Sequence, residues 1–202
     1  SPIGYDPNQL DEIDNLSEDI SSKFPDNKII VGYAGSFSVS NSIGILIKAI
    51  KSLSHNSKIH FMLVGSGDYK KQVEEECSNL GNVTILNKIP FREVNAFLKK
   101  CDILYLSTSK TEIWKYGQSM NKLLEYMIAG KPIVASYSGY PSMLNEAQSG
   151  LFVDVDKIQE VVSAISYYSE LSSQERHSIG NRGSKWVSDN RSYKTLADEY
   201  LL

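Results

Sequence analysis

The chain has 202 residues, 41% hydrophobic and 22% charged, a balance that fits one ordinary domain or one large lobe with a sizeable core. A net charge of −3 provides no global attraction for nucleic acid, so any anion site has to be local. Apolar runs such as 59–64 are far too short to span a bilayer, and the opening residues do not read as a secretory leader. Cys77 and Cys101 have no CxxC or Cys/His spacing, so both are expected to be reduced and partly buried, as in a cytosolic protein.

Residues 1–27 are polar, carry Pro2, Pro7 and Pro25, and are expected to form a linker with one weak helical stretch. From there two periods alternate. Residues 28–34 (KIIVGYA) read as a strand, and 41–53 place Ile43, Leu46, Ile47 and Ile50 on one helical face. A second strand covers 58–64, and a charged helix over 68–80 is expected to stop at Gly81. Residues 83–86 are a strand, 91–100 a helix with Val94, Phe97 and Leu98 inward, and 103–106 a strand. Helix 122–129, strand 132–136, strand 151–153 and helix 158–169 follow, and two helices, roughly 173–188 and 192–201, close the chain.

Six short, nearly continuous apolar strands alternating with helices predict a doubly wound α/β domain, a parallel sheet covered on both faces. The boundaries are a linker over 1–27, the α/β domain over 28–189 and a closing helical segment over 190–202. Such sheets bind ligands beyond the carboxyl ends of their strands. Four polar clusters fall there.

Gly35-Ser36 follows the first strand, where a glycine lets a ligand or a neighbouring helix approach the backbone, or simply turns the chain. Ser36, Ser38, Ser40, Asn41 and Ser42 can donate hydrogen bonds to phosphate but supply no charge. Gly65-Ser66-Gly67 is a lone GxG, because position 70 is Lys; it predicts a tight turn at a cleft rim rather than a dinucleotide fingerprint. Lys88-Ile89-Pro90 opens a helix whose proline pre-sets the backbone. Exposed backbone groups of Ile89 could pair with a flat base edge, or the segment is an ordinary loop.

The richest stretch is 116–132 (YGQSMNKLLEYMIAGKP). A helix starting near Ser119 or Met120 would point free N–H groups and the positive end of its dipole into the cleft, a position anions favour. Lys122 stands against that dipole, which makes sense if an anion sits there. Glu125 follows Lys122 by three, so the two share a face, and a carboxylate there can accept both hydroxyls of a ribose diol. The ordinary alternative is a surface Lys–Glu pair worth a few tenths of a kcal/mol. Elsewhere the signals are weak. His55, His60 and His177 lack nucleophile partners, and neither metal-ligand spacing nor a GxSxG elbow occurs. Asp102 at a strand entry reads as structural, and Trp186 and Tyr193 as packing.

These segments together resemble the C-terminal, donor-binding half of family-4 retaining glycosyltransferases of the GT-B fold. The resemblance runs over nearly the whole chain. Pro2 to Pro7 looks like the inter-domain linker, Tyr33 to Ser36 like the loop after the first strand, and Leu63 to Gly67 like the Val-Gly-(Asp/Ser)-Gly turn. Residues 82–106 look like the segment ending in "aDi…l", and Glu146 to Val155 like the "E…Gl.v" segment. Tyr116 to Pro132 matches the nucleotide-sugar motif in its polysaccharide and O-antigen form, G-x-S-x-N-K-L-x-E-Y-M-x-A-G-K-P.

The resemblance implies sugar transfer, with retention, from a nucleoside diphosphate sugar, UDP-linked, to a glycan or lipid-linked acceptor. It implies no cofactor or metal. The donor diphosphate would meet Gly35, Ser36, Asn41, Gly117, Ser119, Asn121, Lys122 and Leu123, the ribose Glu125, and the base Lys88 and Ile89, with Gly65 and Gly67 at the cleft rim. An N-terminal acceptor lobe would complete the enzyme, leaving this lobe inactive alone, and residues 192–202 would cross to it, exposing Tyr193, Leu196, Tyr200 and Leu201. The implied location is the cytoplasm, with the intact enzyme peripheral at the inner membrane's cytoplasmic face. Two features depart from the family. Gly117 stands where an acid is usual, and Ser36 and Asn41 stand where Arg and Lys clamp the diphosphate, so Lys122, the helix start and backbone amides would carry that charge. A non-catalytic nucleotide-sugar binding module and a sugar-nucleotide epimerase lobe are the competing readings.

Overall fold

In the computed structural model, which describes residues 4–6, 15–112, 120–136 and 142–200, six strands form one parallel sheet. They are β1 (Ile29–Ala34), β2 (Ile59–Val64), β3 (Val83–Leu86), β4 (Ile103–Ser107), β5 (Ile133–Ser136) and β6 (Gly150–Val153), in spatial order β3-β2-β1-β4-β5-β6. The helices are α1 (Glu18–Ser21), α2 (Ile43–Ser52), α3 (Lys70–Cys77), α4 (Phe91–Lys100), α5 (Asn121–Ile128), α6 (Met143–Ala147), α7 (Ile158–Glu170), α8 (Ser173–Asn190) and α9 (Tyr193–Tyr200). The expected doubly wound architecture is present. Among the described residues, no helix is long and apolar enough to cross a membrane.

Alternating residues of each central strand feed two cores. Ile30 and Ala34 of β1 join a core with α4, α5, α6 and α8, while Val31 and Tyr33 join another with α2, α3 and α7. This two-sided burial is why the strands read as continuous apolar runs rather than alternating ones. Each fully buried side chain of the Leu46 or Phe61 kind contributes about 1.5–3 kcal/mol before entropy is counted. Both cysteines are free and buried.

At the amino end of the sheet, Asp102 holds two elements in place. One carboxylate oxygen accepts the Ile30 N–H at 2.9 Å, and the other meets the Arg176 guanidinium of α8 at 3.4 Å. Arg176 is itself buried and also donates to the Leu171 and Tyr168 carbonyls. The structural reading of this aspartate agrees with that geometry.

Three expectations need correction. The third helix ends at Cys77, and Gly81 neither adopts a positive φ nor caps it. Leu196 is buried rather than exposed. The Tyr5 N–H donates to the Arg191 carbonyl at 2.9 Å and the Tyr193 N–H to the Tyr5 carbonyl at 3.0 Å, which lays Gly4 over Leu196. Tyr193 remains exposed, whereas the Tyr200 side chain and Leu201 lie outside the described residues. Finally, part of the expected linker packs: Leu16, Ile20 and Phe24 lie against the core, and the Ser17 N–H donates to Glu93 at 3.1 Å.

α8 crosses α5 at small residues. A Cβ on Gly180 would overlap the Gly130 carbonyl oxygen, a backbone atom that no rotamer change can move. Gly180→Ala gains about 1 kcal/mol of helix propensity, yet the overlap costs roughly 1–3 kcal/mol or more. The variant is therefore expected to melt below the wild type in a thermal unfolding scan; an equal or higher Tm would contradict this packing.

Candidate functional site

The sheet splits at its carboxyl edge. β1 and β4 pair only at Val31–Ile103 and Gly32–Leu104, and their connections then leave in opposite directions. This is the topological switch point where doubly wound sheets open a crevice. Tyr126 of α5 fills the split. Its hydroxyl accepts the Ala34 N–H at 2.8 Å and donates to the Ala34 carbonyl at 3.2 Å, satisfying backbone groups that β4 no longer reaches. Burial holds this phenol well above its ordinary pKa, so it stays protonated.

With the end of β1 fixed, Gly35 meets Lys122, the second residue of α5. A Cβ at position 35 would overlap the Lys122 ammonium, so the glycine makes room for the lysine. The Lys122 Nζ lies 5.0 Å from the Tyr33 ring centroid and donates to Asn41 Oδ1 at 3.4 Å. Among the described residues it makes no ion pair, and a neutral amide is its hydrogen-bond partner. Burial lowers its pKa to about 8, with Glu125 opposing more weakly. Burial also raises the Glu125 pKa, against the pull of Lys122. A cation and a carboxylate thus stand half-desolvated in one wall, neither neutralised by the other.

The neighbouring loops are zipped together. The Gly35 N–H donates to the Val64 carbonyl at 2.9 Å, and the Phe37 N–H to the Ser66 carbonyl at 2.9 Å. A Cβ at Gly65 would overlap the Gly35 carbonyl. Gly67, at φ +143, packs against the Phe37 backbone and does not line the cleft.

Of the predicted residues, Gly35, Ser36, Gly65, Lys88, Ile89, Lys122 and Glu125 line one cleft of about 320 Å³. Others behave differently. Asn41 braces the loop, with its amide donating to the Ser36 carbonyl at 2.9 Å and to Ser38 Oγ at 3.2 Å, so its NH₂ is not offered to a ligand. The Leu123 side chain is buried and its N–H is bonded to the Met120 carbonyl at 3.1 Å. Asn121 opens α5, and no hydrogen bond among the described residues uses its N–H or that of Lys122. Gly117 and Ser119 lie outside the described residues. Ile89, expected to be exposed, is 6% exposed, and only its border with the cleft is open.

Sequence reasoning missed Tyr126, Phe91 and Val94. Tyr126 sits in the apolar stripe of its helix, where it looks like packing; the signal was that a buried tyrosine hydroxyl needs a partner. A second depression, of about 330 Å³, lies beside α2 with an exposed Lys110–Asp156 pair at its edge and includes none of the predicted site residues. Among the described residues, no group of three His, Cys, Asp or Glu side chains could hold a metal ion.

An uncharacterized glycosyltransferase of Methanocaldococcus jannaschii is 28% identical over 159 residues, which cover 76% of this chain and 42% of that protein. The chain spans less than half the length of the curated relatives it matches. The Anabaena protein HepE, solved with UDP-glucose, superimposes with a TM-score of 0.72 at 20% identity, over 97% of this chain and 54% of HepE. The C-terminal domain of a glycosyl transferase group 1 family protein from Francisella tularensis gives 0.70 at 17% identity, over 94% of this chain and all of that one. These structures share the fold. The model of the family described as "Glycosyl transferases group 1" matches residues 28–170, from just before β1 through α7, and the chain belongs to that family.

Proposed function

We propose that the cleft binds a nucleoside diphosphate sugar, UDP-linked, and that the chain is the donor-binding C-terminal lobe of a retaining glycosyltransferase. The observation that carries this reading is Lys122, a half-buried ammonium that makes no ion pair among the described residues, beside two amides at the start of α5 that no hydrogen bond among those residues uses. An anion would complete both. Glu125, in the same wall, suits the ribose diol, and the Ile89 backbone suits the base. Support also comes from the shared fold of HepE, whose structure holds UDP-glucose, and from the isolated C-terminal domain that this chain matches end to end.

The chemistry asked of this lobe is electrostatic. As the bond to the sugar breaks, negative charge grows on the departing diphosphate. A desolvated ammonium and oriented amides stabilise it more than water would, without reorganising. The acceptor and any proton-transfer group belong to a second, N-terminal lobe, and the motif at 116–132 favours a polysaccharide or lipid-linked glycan as acceptor. The intact enzyme would work in the cytoplasm or peripherally at the cytoplasmic face of the inner membrane. One observation favours a second reading. Ser36 and Asn41 bring no charge to the loop after β1, which would suit a module that binds nucleotide sugars without turnover. Single-turnover transfer by the protein with its acceptor lobe separates the two.

Lys122→Ala is expected to weaken UDP binding by about 1.5–3 kcal/mol, the range for a hydrogen bond to a charged group. It should weaken inorganic pyrophosphate similarly; unchanged affinity in calorimetry would remove the diphosphate role. Glu125→Ala should cost UDP about 1–3 kcal/mol and leave pyrophosphate unaffected, and equal losses for both ligands would contradict the ribose assignment.

The pH dependence follows from Lys122. The anion favours the protonated amine, so wild-type affinity for UDP should fall as pH rises through about 8. The decline should be absent in Lys122→Ala; a slope that persists in the variant would assign it to another group.

A further inference from the structure

The cleft has two chemically different ends. Lys122 and Glu125 stand on the side of the β1–β4 split, and Ile89, Phe91 and Val94 form the far side after β3. Phe91 is the first residue of α4, so it shares a helix face with Val94. It is 78% exposed, more than any other large hydrophobic residue described. The same helix buries Phe97 and Leu98, so α4 already has its anchors and gains nothing from a phenyl ring held in water at its tip. Next to that ring, the Ile89 N–H and C=O enter no hydrogen bond among the described residues, although Ile89 is 6% exposed. Unpaired backbone groups in so enclosed a residue call for a partner.

A ring face beside a donor–acceptor backbone edge suits one kind of ligand end, a planar heterocycle that stacks on the face and pairs along the edge. From β3 to β4 is three strand spacings, about 14 Å, comparable with an extended nucleoside diphosphate. We propose that Phe91 is the stacking platform for the donor's nucleobase, which rests on the cleft being the nucleotide-sugar site. In this arrangement the phenyl ring supplies affinity for any base, because every base presents a π-face, while the Ile89 backbone edge selects among bases.

Calorimetric titration of the chain with UDP and with inorganic pyrophosphate tests this in wild type, Phe91→Ala, Phe91→Leu and Phe91→Trp. Alanine and leucine should each weaken UDP about tenfold, leucine included because it keeps apolar bulk and loses the π-face. Tryptophan should retain wild-type affinity, and pyrophosphate, which has no base, should bind all four alike. UDP affinity unchanged in Phe91→Ala overturns the platform and leaves the ring to a protein partner, with the nucleotide site intact. Parallel losses for UDP and pyrophosphate overturn it too, as a structural effect. Wild-type chain that binds neither ligand overturns the cleft assignment itself.

Discussion

A single phenol sets the geometry of the carboxyl edge. β1 and β4 must part for a crevice to open, and parting strands leave backbone groups without partners. Tyr126 supplies both a donor and an acceptor to Ala34 at that point. The same residue belongs to the helix that carries Lys122 and Glu125. The end of β1, the Gly35 turn and both charged side chains are thereby referred to one hydrogen-bonded pair. Without the hydroxyl, a buried N–H and carbonyl would go unsatisfied, at about 1–3 kcal/mol for each.

That precision is used to hold a group the fold would otherwise reject. Lysine is ordinarily well solvated, and a buried one at about 8 instead of 10.5 represents roughly 3 kcal/mol of unfavourable charge burial. Because the folded value is depressed, the ligand-free fold bears this cost below about pH 8 and sheds it progressively as pH climbs toward the unfolded value. The Tyr33 ring and Asn41 amide soften the environment without cancelling the charge. Asn41 therefore acts as a brace, holding both the loop and the lysine.

Much of this was legible in the sequence, for physical reasons that also mark its limits. The four inner strands are visible because burial on both faces writes a nearly unbroken apolar run, the partly buried edge strands β3 and β6 because their short apolar segments fall between helical stretches, and the start of α5 because helical period and N-terminal chemistry coincide near Met120. Lys122 and Glu125 share a face as their spacing requires. What failed were assignments that depend on partners distant in the chain. Asn41 has the composition of a phosphate donor, yet its amide is consumed by Ser36 and Ser38. Leu196 looked exposed because its cover, Gly4, comes from the opposite end of the chain. Tyr126 passed for packing because nothing local reveals that two strands will diverge beside it. Gly81 looked like a helix stop, but α3 had already ended at Cys77.

The pairing of Tyr5 with Ser192 brings the chain's entry and the root of its last helix to one spot, held by two backbone hydrogen bonds. Neither strand order nor cleft geometry depends on that spot. The path of the chain into the domain and the direction in which α9 leaves α8 are therefore set together, and a change at Gly4 or Tyr5 would be felt at the root of α9 rather than at the cleft.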